Sequence, residues 1–146
     1  VLAPKLARAA KENDVRKLAS LLRTSIAILS ICCVPILTLM WINSARMMGL
    51  FGPEYKHGVD AFRIVIIGQA VNASTGPVAQ LLIMTRQEKL VSQIVKGTAV
   101  AFISLMLFFD ASRSVIGIAT TISLCIIVQN LVMAYFASRT IKKMLK

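Results

Sequence analysis

Residues 24–45 read TSIAILSICCVPILTLMWINSA, 22 positions between Arg23 and Arg46 without one Asp, Glu, Lys or Arg. At a rise of about 1.5 Å per residue, a helix of that length covers the ~30 Å hydrocarbon core of a bilayer. A helix on the surface of a soluble protein must instead turn one polar face to water. Two further runs share the property: Ile64 to Thr85, with 22 residues, and Ser114 to Ser138, with 25. Leu90 to Phe109 adds a fourth of 20 residues, interrupted only by Lys96. In lipid a backbone must satisfy its own hydrogen bonds, which makes each run a helix. The predicted fold is all-α: an integral membrane helical bundle with transmembrane helices at 24–45, 64–85, 90–109 and 114–138.

Composition points the same way. Of 146 residues 57% are hydrophobic and 16% charged, with a mean hydropathy of +0.75. A soluble domain carries about a quarter of its residues as charges, so the apolar excess is expected to face lipid. The net charge of +11 invites a nucleic-acid reading. That reading needs a basic face on a soluble module with a base-reading motif or stacking aromatics, and the sequence offers neither. Disorder is excluded because it requires low hydrophobicity as well as charge.

The cations follow topology. Thirteen of the 17 Lys and Arg fall in residues 1–23, in the 86–89 turn with Lys96 just inside, and in the tail 139–146. The other loops hold Arg46, Lys56, Arg63 and Arg113. Basic residues accumulate on the cytoplasmic side, so both ends are expected there, at the cell membrane, with anionic lipid headgroups as counter-ions.

Between the spans, the turns Arg86 to Lys89 and Asp110 to Arg113 are short enough to demand antiparallel hairpins. The second, third and fourth spans are therefore predicted to be sequential neighbours. Residues 46–63 form an extracytoplasmic interfacial loop: Met47, Met48, Leu50 and Phe51 are apolar, Gly52 and Pro53 break the chain, and Pro53 to Arg63 leads into the next helix with Glu54 in its first turn. Residues 1–23 form a basic cytoplasmic helical segment, with Asn13 and Asp14 as turn and cap before Val15. The chain opens on Val1 and passes at once into the helical phrase Leu2 to Lys11, without a signal-peptide layout. It is expected to be a piece of a longer protein whose N-terminal part precedes it.

Polar residues inside the spans carry the functional question. Gln69, Asn72, Gly76 and Gln80 recur at steps of three, four and four, one stripe of a helix. Either these amides hydrogen-bond to a neighbouring helix, or they line a water-filled cavity that touches a polar substrate. Gly76 and Pro77 are helix-break candidates, since Pro77 removes a backbone donor and frees a carbonyl near Ala73; Pro35 in the first span is a third. Lys96 lies six residues beyond Leu90, about 9 Å into the membrane. It either snorkels to the surface or lines a cavity and pairs with an anion, with Gln93 on a similar face. Gly117, Thr121, Cys125 and Gln129, at steps of four with Thr120 beside them, predict close helix packing.

Cys32, Cys33 and Cys125 form no metal chelate pattern, and His57 stands alone. Asn72-Ala73-Ser74 matches a glycosylation pattern at mid-membrane depth, which voids it. There is no nucleophile with a base, no metal-ligand cluster and no phosphate-binding Gly-rich loop, so no catalytic residue, metal or cofactor is expected and the segment is predicted not to be an enzyme.

The run Leu50-Phe51-Gly52-Pro53-Glu54-Tyr55, then Phe62-Arg63-Ile64, Gly68-Gln69, Asn72-Ala73, Gly76-Pro77 and Leu82 to Thr85, resembles the C-terminal region of the polysaccharide exporters, the Wzx-type oligosaccharide flippases of the multidrug, oligosaccharidyl-lipid and polysaccharide exporter superfamily. Ile116-Gly117-Ile118-Ala119-Thr120 is similar to that family's IGxAxAT phrase, and Ala3-Pro4-Lys5-Leu6-Ala7 with Asn13-Asp14 resembles its preceding cytoplasmic loop. The resemblance covers nearly the whole chain and rests on the order and spacing of short motifs. It implies that the chain is part of the C-terminal lobe of a larger exporter, with the N-terminal lobe as its partner. It also implies translocation of lipid-linked oligosaccharide, on an isoprenoid pyrophosphate carrier, across the cytoplasmic membrane by alternating access. Sugar hydroxyls suit Gln69, Asn72 and Gln80, and a pyrophosphate suits Lys96 with Gln93 nearby. Some members of the family carry several cations in the cavity, whereas Lys96 stands alone in these spans. The alternatives are a cation-coupled multidrug exporter of the same superfamily, which would want membrane carboxylates that these spans lack, and a non-transporting membrane scaffold for glycan assembly.

Overall fold

A computed structural model describes residues 15–108 and 114–144. Five α-helices and one 3-10 helix account for almost all of them: α1 (Val15–Ile42), α2 (Ser44–Gly49), the 3-10 helix Pro53–Gly58, α3 (Val59–Met84), α4 (Glu88–Phe108) and α5 (Val115–Met144). Three helices are long and apolar enough to cross a membrane, over Lys17–Ile42, Glu88–Leu107 and Val115–Met144. Over its described residues the chain is therefore an all-helical membrane protein. At 26 residues α3 has the length, but Gln69, Asn72 and Gln80 dilute its apolar run and it falls outside that group.

The helix limits differ from the predicted spans at several ends. Around Asn43 the chain turns, the side-chain Nδ2 donating to the Leu39 carbonyl at 2.9 Å, so α1 stops at Ile42 and Ser44 and Ala45 pass into α2. Val59 to Arg63, expected in the loop, already belong to α3, and α4 starts at Glu88, two residues ahead of Leu90. The basic tail is helical through Met144, and Lys142 and Lys143 in the last turn of α5 suit its negative dipole end. Residues 15–23 of the N-terminal basic segment are the first turns of α1. The phrase Leu2 to Lys11, the Asn13-Asp14 cap and the turn Asp110 to Arg113 lie outside the described residues.

α3 occupies the centre, with α1 against one side and α5 against another. The apolar core gathers near one end, where Leu18 and Leu22 of α1, Val78, Leu81 and Leu82 of α3, and Met133 and Ala137 of α5 are buried together. α3 and α5 run parallel: Ser123 meets the turn of Ile64 and Gly68, and ten to fourteen residues further along both helices Met133 and Ala137 share a core with Leu81 and Leu82. Their closest approach is at Gly68, where an added Cβ would lie 3.0 Å from the Ser123 Cα. The Ser123 hydroxyl uses that proximity to donate to the Ile64 carbonyl at 3.0 Å.

This corrects the expected order of neighbours. α3 packs far more on α5 than on α4, and α4 leans chiefly on α5. The turn explains it. Arg86 adopts φ 60, the left-handed conformation, while Gln87 N–H donates to the Leu82 carbonyl at 2.9 Å and Arg86 N–H to that of Ile83 at 3.1 Å. That pair of bonds is a Schellman stop. Gln87 then exchanges hydrogen bonds with Thr140 of α5, its Nε2 donating at 2.9 Å and its Oε1 accepting at 3.2 Å, which ties the start of α4 to the end of α5.

At the opposite end Arg63 fastens three segments. Its Nε donates to the fully buried Ser44 Oγ at 2.9 Å, and its guanidinium lies 5.7 Å from the Trp41 ring centroid. Asp60 adds a 3.8 Å ion pair that is largely exposed and contributes little. The break before the 3-10 helix needs Gly52: its φ is 133, and a Cβ there would come within 2.7 Å of the Glu54 carboxylate.

Candidate functional site

The polar groups of the helices fall into two places. On α3, Asn72 Nδ2 donates to Gln69 Oε1 at 3.3 Å, and Asn130 Nδ2 of α5 donates to Asn72 Oδ1 at 3.2 Å. Asn130 is 5% exposed and also donates to the Ile126 carbonyl at 2.9 Å. The result is a chain of three amides across the α3–α5 seam, buried at one end and exposed at the other through Gln69 and Asn72. Gln80 and Gly76 continue the exposed stripe down α3. Such amides both donate and accept, so the exposed end can serve a hydroxyl from either side.

The second place is the α4–α5 contact, flanked by two grooves of ≈ 360 and ≈ 370 Å³ that share Thr98, Cys125 and Gln129. Gln93 lines the first and Phe102 the second; the remaining walls are mostly aliphatic. Gln129 sits beside Asn130 on α5 and so adjoins both places. Lys96 is exposed on α4 and lines neither groove, so it is not brought to the amide chain.

Gly117, Thr121, Cys125 and Gln129 coincide only in part with the close-packed stripe of α5. Of these four Thr121 is buried, with Ala119, Ser123, Asn130, Met133 and Ala137, whereas Cys125 and Gln129 line the grooves beside α4. The missed residue is Asn130, whose signal was its helical spacing, seven residues from both Ser123 and Ala137.

Neither Pro35 nor the Gly76-Pro77 pair ends a helix: α1 and α3 continue through them. Pro35 is exposed and Pro77 buried. One turn before Pro77, the Ser74 and Thr75 hydroxyls donate to the Ala70 and Val71 carbonyls at 2.9 and 2.7 Å. Gly76 has open space at its Cβ position, so no close approach requires it. Among the described residues no three His, Cys, Asp or Glu side chains gather.

Fold and site together define a helical membrane protein with an amide chain running from a buried helix seam to an open helix face. No protein family, no curated protein and no solved structure matches the chain.

Proposed function

We propose that this chain is a helical segment of an exporter that carries lipid-linked oligosaccharide across the cytoplasmic membrane, crossing it four times with both ends cytoplasmic. The observation that carries the reading is the exposed line of Gln69, Asn72 and Gln80 on α3, a helix held between two apolar ones. Lipid offers an amide no partner, so this face calls for water, a sugar hydroxyl or another helix. A fourth crossing is supported by the length of the α1–α3 contact, from Leu22 beside Leu82 to Trp41 beside Arg63. A helix lying along α1 over that distance crosses wherever α1 does. The Lys/Arg imbalance supports the orientation, and alternating access would expose the α3 face to each side in turn.

The test is transfer of a fluorescent isoprenoid-pyrophosphate oligosaccharide by the intact protein in vesicles. Gln69→Leu with Asn72→Leu is expected to slow transfer at least tenfold with insertion retained. Transfer at the unmodified rate would remove the amides from the path. The Asn130–Asn72 bond favours a second reading, a packed scaffold in which the amides hold helices together. Cysteines placed at 69, 72 and 80 separate the two: reaction with a water-soluble thiol reagent supports the cavity, and uniform protection supports the scaffold.

A further inference from the structure

The first α4–α5 groove lies between two helices that both carry cations beyond its end. On the α4 wall it passes Gly97 and Gln93, and Lys89 lies four residues before Gln93 on the same stripe. On the α5 wall it passes Val128 and Val132, and Arg139 and Lys143 follow Val132 at seven and eleven residues, again on one stripe. All three cations are exposed. The Gln87–Thr140 hydrogen bonds hold the two walls together at this level, and Gln93 is about 9 Å further along α4, within the span of one hydrocarbon chain. Glu88 is the sole acid beside them among the described residues. An apolar slot with cations at its mouth is complementary to one kind of molecule: an anion with a long hydrocarbon chain, already present in the leaflet.

We propose that this groove binds an anionic glycerophospholipid, its phosphate held by Lys89, Arg139 and Lys143 and one acyl chain lying along Gln93, Gly97, Val128 and Val132. The site rests on membrane insertion alone and is independent of the exporter reading, so vesicle transfer assays do not bear on it.

The experiment is native mass spectrometry of the full chain released from bilayers containing equal phosphatidylglycerol and phosphatidylcholine. Phosphatidylglycerol is expected to be retained at least tenfold over phosphatidylcholine. Arg139→Gln with Lys143→Gln should lower that retention at least fivefold. Arg46→Gln with Lys56→Gln, which removes the same charge beyond the far end of α1, should leave it unchanged. A Cβ added at Gly97 meets nothing within 4 Å, so the backbone there leaves room for Gly97→Leu to extend into the groove. It should lower retention with every cation in place. If Gly97→Leu loses its helix content by circular dichroism, Ala101→Phe, on the same wall, makes the test. Equal retention of the two lipids, equal effects of the two charge pairs, or retention unmoved by filling the groove would each overturn the site.

Discussion

Gly68 and Gly76 are eight residues apart on one helix and have opposite environments. A methyl at Gly68 runs into the Ser123 backbone, which cannot swing aside, whereas a methyl at Gly76 enters open space. Gly68→Ala should therefore destabilise the bundle by about 1–3 kcal/mol, the usual cost of overpacking. Gly76→Ala should be neutral or stabilising by up to about 1 kcal/mol, because alanine loses less backbone freedom in a helix. Thermal unfolding in detergent distinguishes them, and a comparable loss in both would refute the α3–α5 approach. At Arg86 the left-handed backbone costs an L side chain roughly 1–2 kcal/mol, so Arg86→Gly should raise the unfolding temperature. Asn130→Leu should cost more than the ~0.6 kcal/mol of an average intramembrane polar pair, since Asn130 Nδ2 serves both Asn72 and the Ile126 carbonyl.

Between elements, Arg63 is the fastening of the outer connection. Its guanidinium lies over Trp41 at the end of α1 and bonds the buried Ser44 at the start of α2. These short segments bury little else, and Leu50 and Phe51 are 86% and 72% exposed. Arg63→Ala should therefore raise amide hydrogen exchange across residues 44–58 while leaving the α3–α5 seam protected. Arg63→Lys should restore little, because a single ammonium cannot reproduce the guanidinium's directed Nε–H bond to Ser44 while it also lies over Trp41. Exchange that rises equally in the seam would show that Arg63 supports the whole bundle. At the other end the Gln87–Thr140 pair explains why α4 follows α5: a short turn fixes that α4 begins beside α3, and the hydrogen bonds to α5 decide which helix it then follows.

For the whole molecule the number of crossings is read by labelling from each face. With four crossings, cysteines at 56 and 89 should react with membrane-impermeant reagents from opposite faces, and 89 and 139 from the same face. If α3 fails to cross, 56 and 89 would react from one side. Much of this architecture was legible in the residues: charge-free runs of bilayer length dictate helices because lipid leaves the backbone no other hydrogen-bond partner, and Gly52-Pro53 marks the break between them. The Gln69–Asn72 stripe was legible too, since helical periodicity alone aligns it. Which helices touch was not, because periodicity gives the faces of one helix and says nothing of the helix opposite. Choosing α5 over α4 as the partner of α3 depends on Gly68 meeting Ser123, and joining Asn130 to Asn72 depends on two residues 58 positions apart coming within 3.2 Å. Such contacts arise only when parallel helices settle into one register, a property of the packed bundle that no local stretch of sequence contains.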